Sequence, residues 1–433
     1  MRGQLRILPV FPFNPLMTIS AKEPRICCKH NSCTHKRQKL QRTVISKVVF
    51  VSYNCVMNKM LLVLILVLLG CAGKRTEDKE LTPSKSARIE LKYATGFRVT
   101  AYGNAQLVEV LYPFQGSTSG YKYLLVPKGE QVPAHDAGTR LVFTPVTKII
   151  CTSTTHIPLL DYLNETDKLV GFPTTDYISS ERMRRRVDAG KVVELGVDKG
   201  MNLERIAFLK PDVVMGYLMT SDYGQFRKIE ELGSPVVINA EYLERHPLGR
   251  AEWIKFMALF FEKEQMADSV FGAIEDNYLR TRSLAQEVGK KPSVMSGILY
   301  GDSWFLPGGQ NYAARILEDA GCQYLWAQDS SHGFLQLSFE KIYQRAHDAD
   351  LWIGTGGLNS MQDLENADHR YTRFRPFMER RVYSSDARKG SRGGSEYLEL
   401  GYLRPDLILR DLVHIAHPVL LPGHQLYFYK KLE

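Results

Sequence analysis

Polar and aromatic residues gather in the loops that follow predicted strands, where a chain can offer side chains to a ligand. In the first half these are Thr154, His156, Phe172 and Tyr217; in the second they are Tyr300, Trp304 and His332. Aromatic rings there would give rigid surface to a flat macrocycle or a catecholate. A second constellation is nucleophilic. Ser303 follows a predicted strand in Gly301-Asp302-Ser303, and Asp411 stands three residues before His414. Nucleophile, base and orienter would together cleave an ester. A third is the group Cys27, Cys28, His30, Cys33 and His35. Its spacing is too cramped for a zinc ligand pattern, so no metal site is read there.

One long helix must position the loops. From Lys263 to Val288 the apolar residues Met266, Val270, Phe271, Ile274, Tyr278, Leu284 and Val288 recur at helical spacing. Gly289 and Pro292 stop the run. On either side strands, loops and helices alternate, which predicts parallel sheets with helices on their faces. The fold class expected is α/β: two Rossmann-like lobes joined by a single long rigid helix, with a ligand cleft between them. The first lobe spans 86–262, the helix 263–288 and the second lobe 289–433.

The first lobe opens with β-rich sequence. Arg88–Tyr93, Phe97–Tyr102, Gln106–Leu111 and Tyr121–Val126 are candidate strands between Gly, Asn and Pro turns. Strands are then predicted at Lys148–Thr152, Lys168–Phe172, Asp212–Tyr217 and Pro235–Asn239. In the second lobe Ser293–Tyr300 and Asp350–Gly354 are strands, with 301–305 a loop. Cys151 and Cys322 fall in different halves, so no disulfide is expected between them.

The formal charge of +9 is unevenly placed. Residues 1–60 carry eleven Lys and Arg against the single acid Glu23, leaving the remainder near neutral. The high isoelectric point therefore belongs to the leader and implies no nucleic-acid partner. From Met57 a lysine precedes the apolar run Leu61–Leu69. That run has signal-peptide length, and is too short to span a membrane comfortably. Leu68-Leu69-Gly70-Cys71 resembles the bacterial lipobox, in which the Cys is lipid-modified and becomes the first residue. Residues 57–71 thus read as a lipoprotein signal peptide and 72–85 as a polar tether. Residues 1–56 are an upstream extension without sustained periodicity, and translation is expected to start at Met57 or Met60.

The two halves echo each other. Asn202-Leu203-Glu204-Arg205-Ile206 precedes Pro211-Asp212-Val213-Val214-Met215-Gly216. Ser338-Phe339-Glu340-Lys341-Ile342 precedes Ala349-Asp350-Leu351-Trp352-Ile353-Gly354. Each is a cap, an apolar residue, Glu, a base and Ile, then Asp, an apolar strand and Gly. A first-turn Glu also suits the positive end of a helix.

With these segments in view, the chain resembles the periplasmic binding proteins of iron-complex and cobalamin ABC transporters. Pro247-Leu248-Gly249-Arg250-Ala251-Glu252-Trp253 is similar to that family's entry to the linker. Arg404-Pro405-Asp406-Leu407-Ile408-Leu409, with Asp411-Leu412 and His417-Pro418, is similar to its C-terminal helix. The resemblance covers roughly 148–422. It implies a ligand held between lobes, a small hinge motion, and docking on a permease dimer through one Glu per lobe, here Glu204 and Glu340. It further implies a monomer held by its lipid in the periplasm or cell envelope. No resident cofactor is expected; any metal arrives inside the transported chelate. The residues leave ferric siderophore, haem and cobalamin open.

The rival reading is an enzyme. Gly301-Asp302-Ser303 resembles the nucleophile block of GDS-type esterases, with Asn359 as oxyanion donor and Asp411 and His414 as acid and base. Such enzymes begin their domain with the Ser block, whereas this one lies deep in the chain, and His414 falls within a predicted helix. A binding protein rather than an enzyme is therefore expected.

Overall fold

The spine forms as the apolar spacing requires. The computed structural model describes residues 89–433, and in it Glu264–Gln286 is one unbroken helix of 23 residues. At ~1.5 Å per residue it runs roughly 34 Å. Ala267, Phe271, Ile274, Tyr278 and Ala285 are buried along one stripe, while Leu284 faces solvent. The spine packs on helix Pro247–Ala258 and on the closing helix Pro405–Ala416. It is also tied by polar bonds from its middle onward. Glu275 accepts from Lys92 Nζ and from the Tyr93 hydroxyl, both at 2.8 Å. Farther along, Tyr278 donates to Asp319 at 2.7 Å and Arg282 pairs with the same carboxylate at 3.0 Å. Cys71 and the Cys27–His35 group lie outside the described residues. Among the described residues no helix is long and apolar enough to cross a membrane.

The β-rich start is a sheet of its own: β1 (Phe97–Tyr102), β2 (Ala105–Val110), β3 (Tyr121–Pro127) and β4 (Arg140–Thr144), in that order. The first three are antiparallel, and β4 joins β3 in parallel. Residues 89–93 are not the strand expected of Arg88–Tyr93. Their backbone partner is a side chain. The fully buried Glu252 carboxylate accepts from the N–H groups of Lys92, Tyr93 and Ala94 at 2.8–3.1 Å. Next to it, Glu244 takes the N–H groups of Thr95 and Gly96 and the Trp253 indole. Two buried carboxylates do here what a neighbouring strand would otherwise do.

The first lobe follows with an all-parallel sheet ordered β7-β6-β5-β8-β9. Its strands are β5 (Ile149–Cys151), β6 (Leu169–Phe172), β7 (Val193–Glu194), β8 (Val213–Gly216) and β9 (Val236–Ile238). The second lobe contains β10 (Ser293–Ser296), β11 (Ile298–Tyr300), β12 (Ser303–Pro307), β13 (Gln323–Tyr324), β14 (Phe334–Leu337), β15 (Leu351–Ile353), β16 (Val382–Ser384) and β17 (Lys430–Lys431). Its main sheet runs β13-β10-β15-β16-β17, and only β17 is antiparallel. The fold is α/β, with the spine between the two parallel sheets.

The expected single strand Ser293–Tyr300 is broken at Gly297. This glycine has φ +84°, and a Cβ there would lie 1.9 Å from the Phe305 carbonyl. The chain therefore leaves the parallel sheet and turns into a small antiparallel sheet, β11-β12-β14. The expected loop 301–305 is a hairpin whose return strand is β12.

The sequence echo is structural. Asp212, before β8, accepts from the backbone N–H and hydroxyl of Thr147 at 2.7 and 2.8 Å. Asp350, before β15, accepts from the N–H and hydroxyl of Ser293, both at 2.8 Å. Each Asp staples the start of its own strand to the start of the parallel neighbour.

Candidate functional site

In parallel sheets ligands sit at the carboxyl ends of the strands. On the first lobe those ends are Thr152–Thr155 after β5, Tyr217 after β8 and Asn239–Tyr242 after β9. Among them the Thr155 hydroxyl donates to Glu241, and Tyr217 donates to Asp198 at 3.0 Å. Arg250, on helix Pro247–Ala258, gives its Nε to the Glu244 carbonyl and one Nη to the Tyr242 carbonyl. Its guanidinium then reaches the second lobe, 3.6 Å over the Tyr312 ring and 4.4 Å from the Tyr402 ring centroid. Tyr312 starts the helix Tyr312–Asp319, and Tyr402 lies just before the closing helix. A first-lobe cation thus meets second-lobe aromatics where the lobes face each other.

Several buried polar atoms here make no hydrogen bond to another protein group. They are Thr152 Oγ1, both ring nitrogens of His156, Asn239 Nδ2, Glu241 Oε2 and Arg250 Nη1, with Thr355 Oγ1 in the loop after β15 of the second lobe. Such atoms are rare because each costs about 1–3 kcal/mol. Burial pushes the Glu241 carboxyl up, against the pull of the Thr155 hydroxyl and the Arg250 charge. Burial pulls the His156 imidazole down to about 3, so the ring is neutral. Tyr217, Tyr242, Tyr312 and Tyr397 are all raised by burial and remain phenols. Among the described residues no three His, Cys, Asp or Glu side chains could hold a metal ion.

A second interlobe contact closes one side. Glu399, 2% exposed, accepts from the Ser179 and Ser180 backbone N–H groups at 2.7 and 2.8 Å. Arg404 donates to the Tyr162 hydroxyl at 2.8 Å. A Cβ on Gly394 would come within 2.1 Å of the Tyr177 carbonyl, so the two backbones touch.

The residues expected to contact ligand separate into groups. Thr154 is half-buried in the β5 loop, and Tyr217 lies beside Glu241 and Tyr242. His156 is not a loop residue; it opens helix His156–Tyr162 and is fully buried. Phe172 and Trp304 are core residues, contrary to expectation. Phe172 ends β6 with 2% exposed. Trp304 is fully buried against Phe339, Trp352, Tyr371 and Phe374, and its indole donates to the Ser296 carbonyl at 2.9 Å. Tyr300 and His332 are exposed at the small antiparallel sheet. Glu241, Arg250, Tyr312 and Tyr402 were missed. For Arg250 the available sequence signal is its place with Glu252 and Lys255 in a segment otherwise free of charge, 247–261.

Glu204 and Glu340 are both exposed in the first turn of capped helices, Leu203–Leu209 and Phe339–Ala346. Asn202 caps the first and Ser338 the second. The esterase arrangement is not assembled. The Asp411 carboxylate is taken by the N–H groups of Tyr427, Phe428 and Tyr429 and by His424. His414 instead bonds the Leu421 carbonyl, and Asn359 bonds the Gly357 carbonyl. Cys151 and Cys322 are buried and unbonded.

The family model described as periplasmic binding protein matches residues 149–388. The chain belongs to the periplasmic binding protein family. An uncharacterized lipoprotein of Methanocaldococcus jannaschii is 25% identical over 384 residues, covering 83% of this chain and 89% of that protein. That span is more than residues 149–433 can supply, so the match takes in the amino-terminal sheet. Among solved structures, a periplasmic haem-binding protein from Pseudomonas aeruginosa is similar with a TM-score of 0.52 and 15% identity. It covers 66% of this chain and 98% of that one. A periplasmic binding protein from Veillonella parvula gives 0.51 and 14%, covering 73% and 99%. These likenesses show the fold, two lobes joined by a long helix. The periplasmic binding family and its fold neighbours are binding proteins rather than enzymes.

Proposed function

We propose that the protein is the lipid-anchored solute-binding component of an ABC importer. It captures a metal chelate between its lobes, either an iron complex (ferric siderophore or haem) or cobalamin, and hands it to a permease dimer. The observation that carries this reading is the interlobe floor at Arg250. There donors and acceptors lacking protein partners lie beside neutral tyrosine rings. Rings give a chelate's organic face apolar contact, and the unpartnered atoms receive its polar groups. In this reading the metal arrives inside the chelate. The haem-binding relative from Pseudomonas aeruginosa favours a flat macrocycle. Cys71 supplies the anchor by its lipobox, and Glu204 and Glu340 meet the permease. Their equivalent positions on two pseudo-repeated lobes suit a two-fold partner, each carboxylate pairing with a basic residue.

The test is quenching of intrinsic fluorescence by haemin, cyanocobalamin, a ferric catecholate and a ferric hydroxamate. One of them should saturate at one per protein. Arg250→Met should weaken it about 10- to 100-fold, the worth of a charge-assisted hydrogen bond of about 1.5–3 kcal/mol. Absence of saturable binding by all four chelates would refute the reading.

A further inference from the structure

The family match begins at residue 149, yet the amino-terminal sheet reaches the interlobe site. The β2–β3 connection, residues 111–120, carries no charged residue. Phe114 packs on the first-lobe cluster that includes Leu218 and Ile238. The Gln115 backbone lies against the Tyr242 hydroxyl, and that hydroxyl donates to the Leu218 carbonyl. Tyr242 directly follows Glu241, whose free oxygen faces no protein partner. On the other side the Gln115 amide lies 3.9 Å from where a Cβ on Gly333 would stand, in the second lobe beside His332. One loop therefore touches the strand-end loops of the first lobe and the approach to β14 in the second. The sheet beneath it is pinned by Glu244 and Glu252 to the helix that bears Arg250.

We propose that residues 111–120 form a third wall of the ligand cleft and select ligands by contact with their uncharged periphery. The inference rests on the proposed solute-binding function. A wall anchored through Tyr242 holds Glu241 and the β8 loop in place, and it narrows the opening between Leu218 and Gly333. Lacking charge, it contributes polar amide and hydroxyl contacts from Gln115, Ser117 and Ser119 rather than neutralisation of an anion. The archaeal lipoprotein that shares this sheet is expected to carry the same wall.

Two measurements on the full chain test this. In the first, Pro113–Ser119 is replaced by a short Asn-Gly turn, and Tyr242→Phe is made separately. Both are titrated with the four chelates named above. Affinity for the chelate bound by the wild type should fall at least tenfold in the shortened variant, with a smaller fall and the same change in ranking for Y242F. Affinities and ranking within twofold of wild type in both would overturn the wall. The second needs no ligand. Gln115→Cys and Gly333→Cys are combined and treated with a short bismaleimide, each single variant serving as control. Cross-linking specific to the double variant supports the wall, and its absence overturns it. If the wild type binds none of the chelates but the cross-link forms, the solute-binding reading falls while the placement of the loop stands.

Discussion

Glu399 is buried across the interlobe contact, and its charge should be readable in the stability of the whole protein. Burial and the nearby Asp161 push its carboxyl from an ordinary 4.5 up to about 7, against the two backbone N–H donors of Ser179 and Ser180. Between pH 4.5 and 7 the native state then holds a proton that the unfolded chain has released. Stability from this group is fully present below pH 4.5 and is lost as pH rises through 7. A shift of about 2.5 units at about 1.36 kcal/mol per unit sets the loss at roughly 3 kcal/mol. Because the side chain is almost wholly buried, solvent screening takes little from that figure. Glu399→Gln keeps the shape and one acceptor but cannot titrate. It should cost about 1 kcal/mol or more for the N–H left unpaired, and the variant should lack the slope. Urea unfolding of both proteins at pH 4.5, 5.5, 6.5, 7.5 and 8.5 gives the difference directly. The penalty for E399Q should shrink by roughly 3 kcal/mol from the acid to the alkaline end of the series. A penalty constant across the series, or one that grows with pH, would refute the argument.

Other outcomes follow from the same contacts. Glu252→Ala leaves the N–H groups of residues 92–94 without their acceptor and takes from the Lys255 ammonium its partner at 3.2 Å, leaving it Asp268 and the Glu90 carbonyl. It should destabilise by about 3–5 kcal/mol in urea titrations and raise hydrogen exchange at residues 92–96. A loss below about 1 kcal/mol would mean that the carboxylate does not pin the sheet. Charge reversal of Glu204 and Glu340 to Lys should cripple uptake of the bound chelate in cells while leaving its affinity for the purified protein unchanged; loss of affinity would place these residues in the cleft instead.

Much of the fold can be read from the sequence, because the apolar residues repeat at the period of the element they build. The spine ends within two residues of its expected limits, and β1 matches its expected bounds. The misses have physical causes. Strand β4 follows a polar stretch, 128–139, that hides the return of the chain to the sheet. Helix Glu181–Asp188 offers only Met183 and Val187 as apolar positions among charges, so no stripe marks it. Gly297 divides an apolar run that reads as one strand, because the turn is dictated by the Phe305 carbonyl pressed against it. The site was legible only in part. The strand-end rule places Thr154 and Tyr217 after β5 and β8, where they lie, but it cannot tell an exposed aromatic from one in the core, hence Trp304 and Phe172. Arg250 and Tyr312 are far apart in the chain and meet only once the lobes fold.

The account stands on cargo gripped by both lobes about an unbending helix. Hydrogen exchange with and without the chelate that saturates the protein measures this most directly. Protection should rise together at 152–155 and 239–242 in the first lobe and at 312–315 and 399–403 in the second, with 264–286 unchanged. Protection confined to one lobe, or an altered spine, would contradict it.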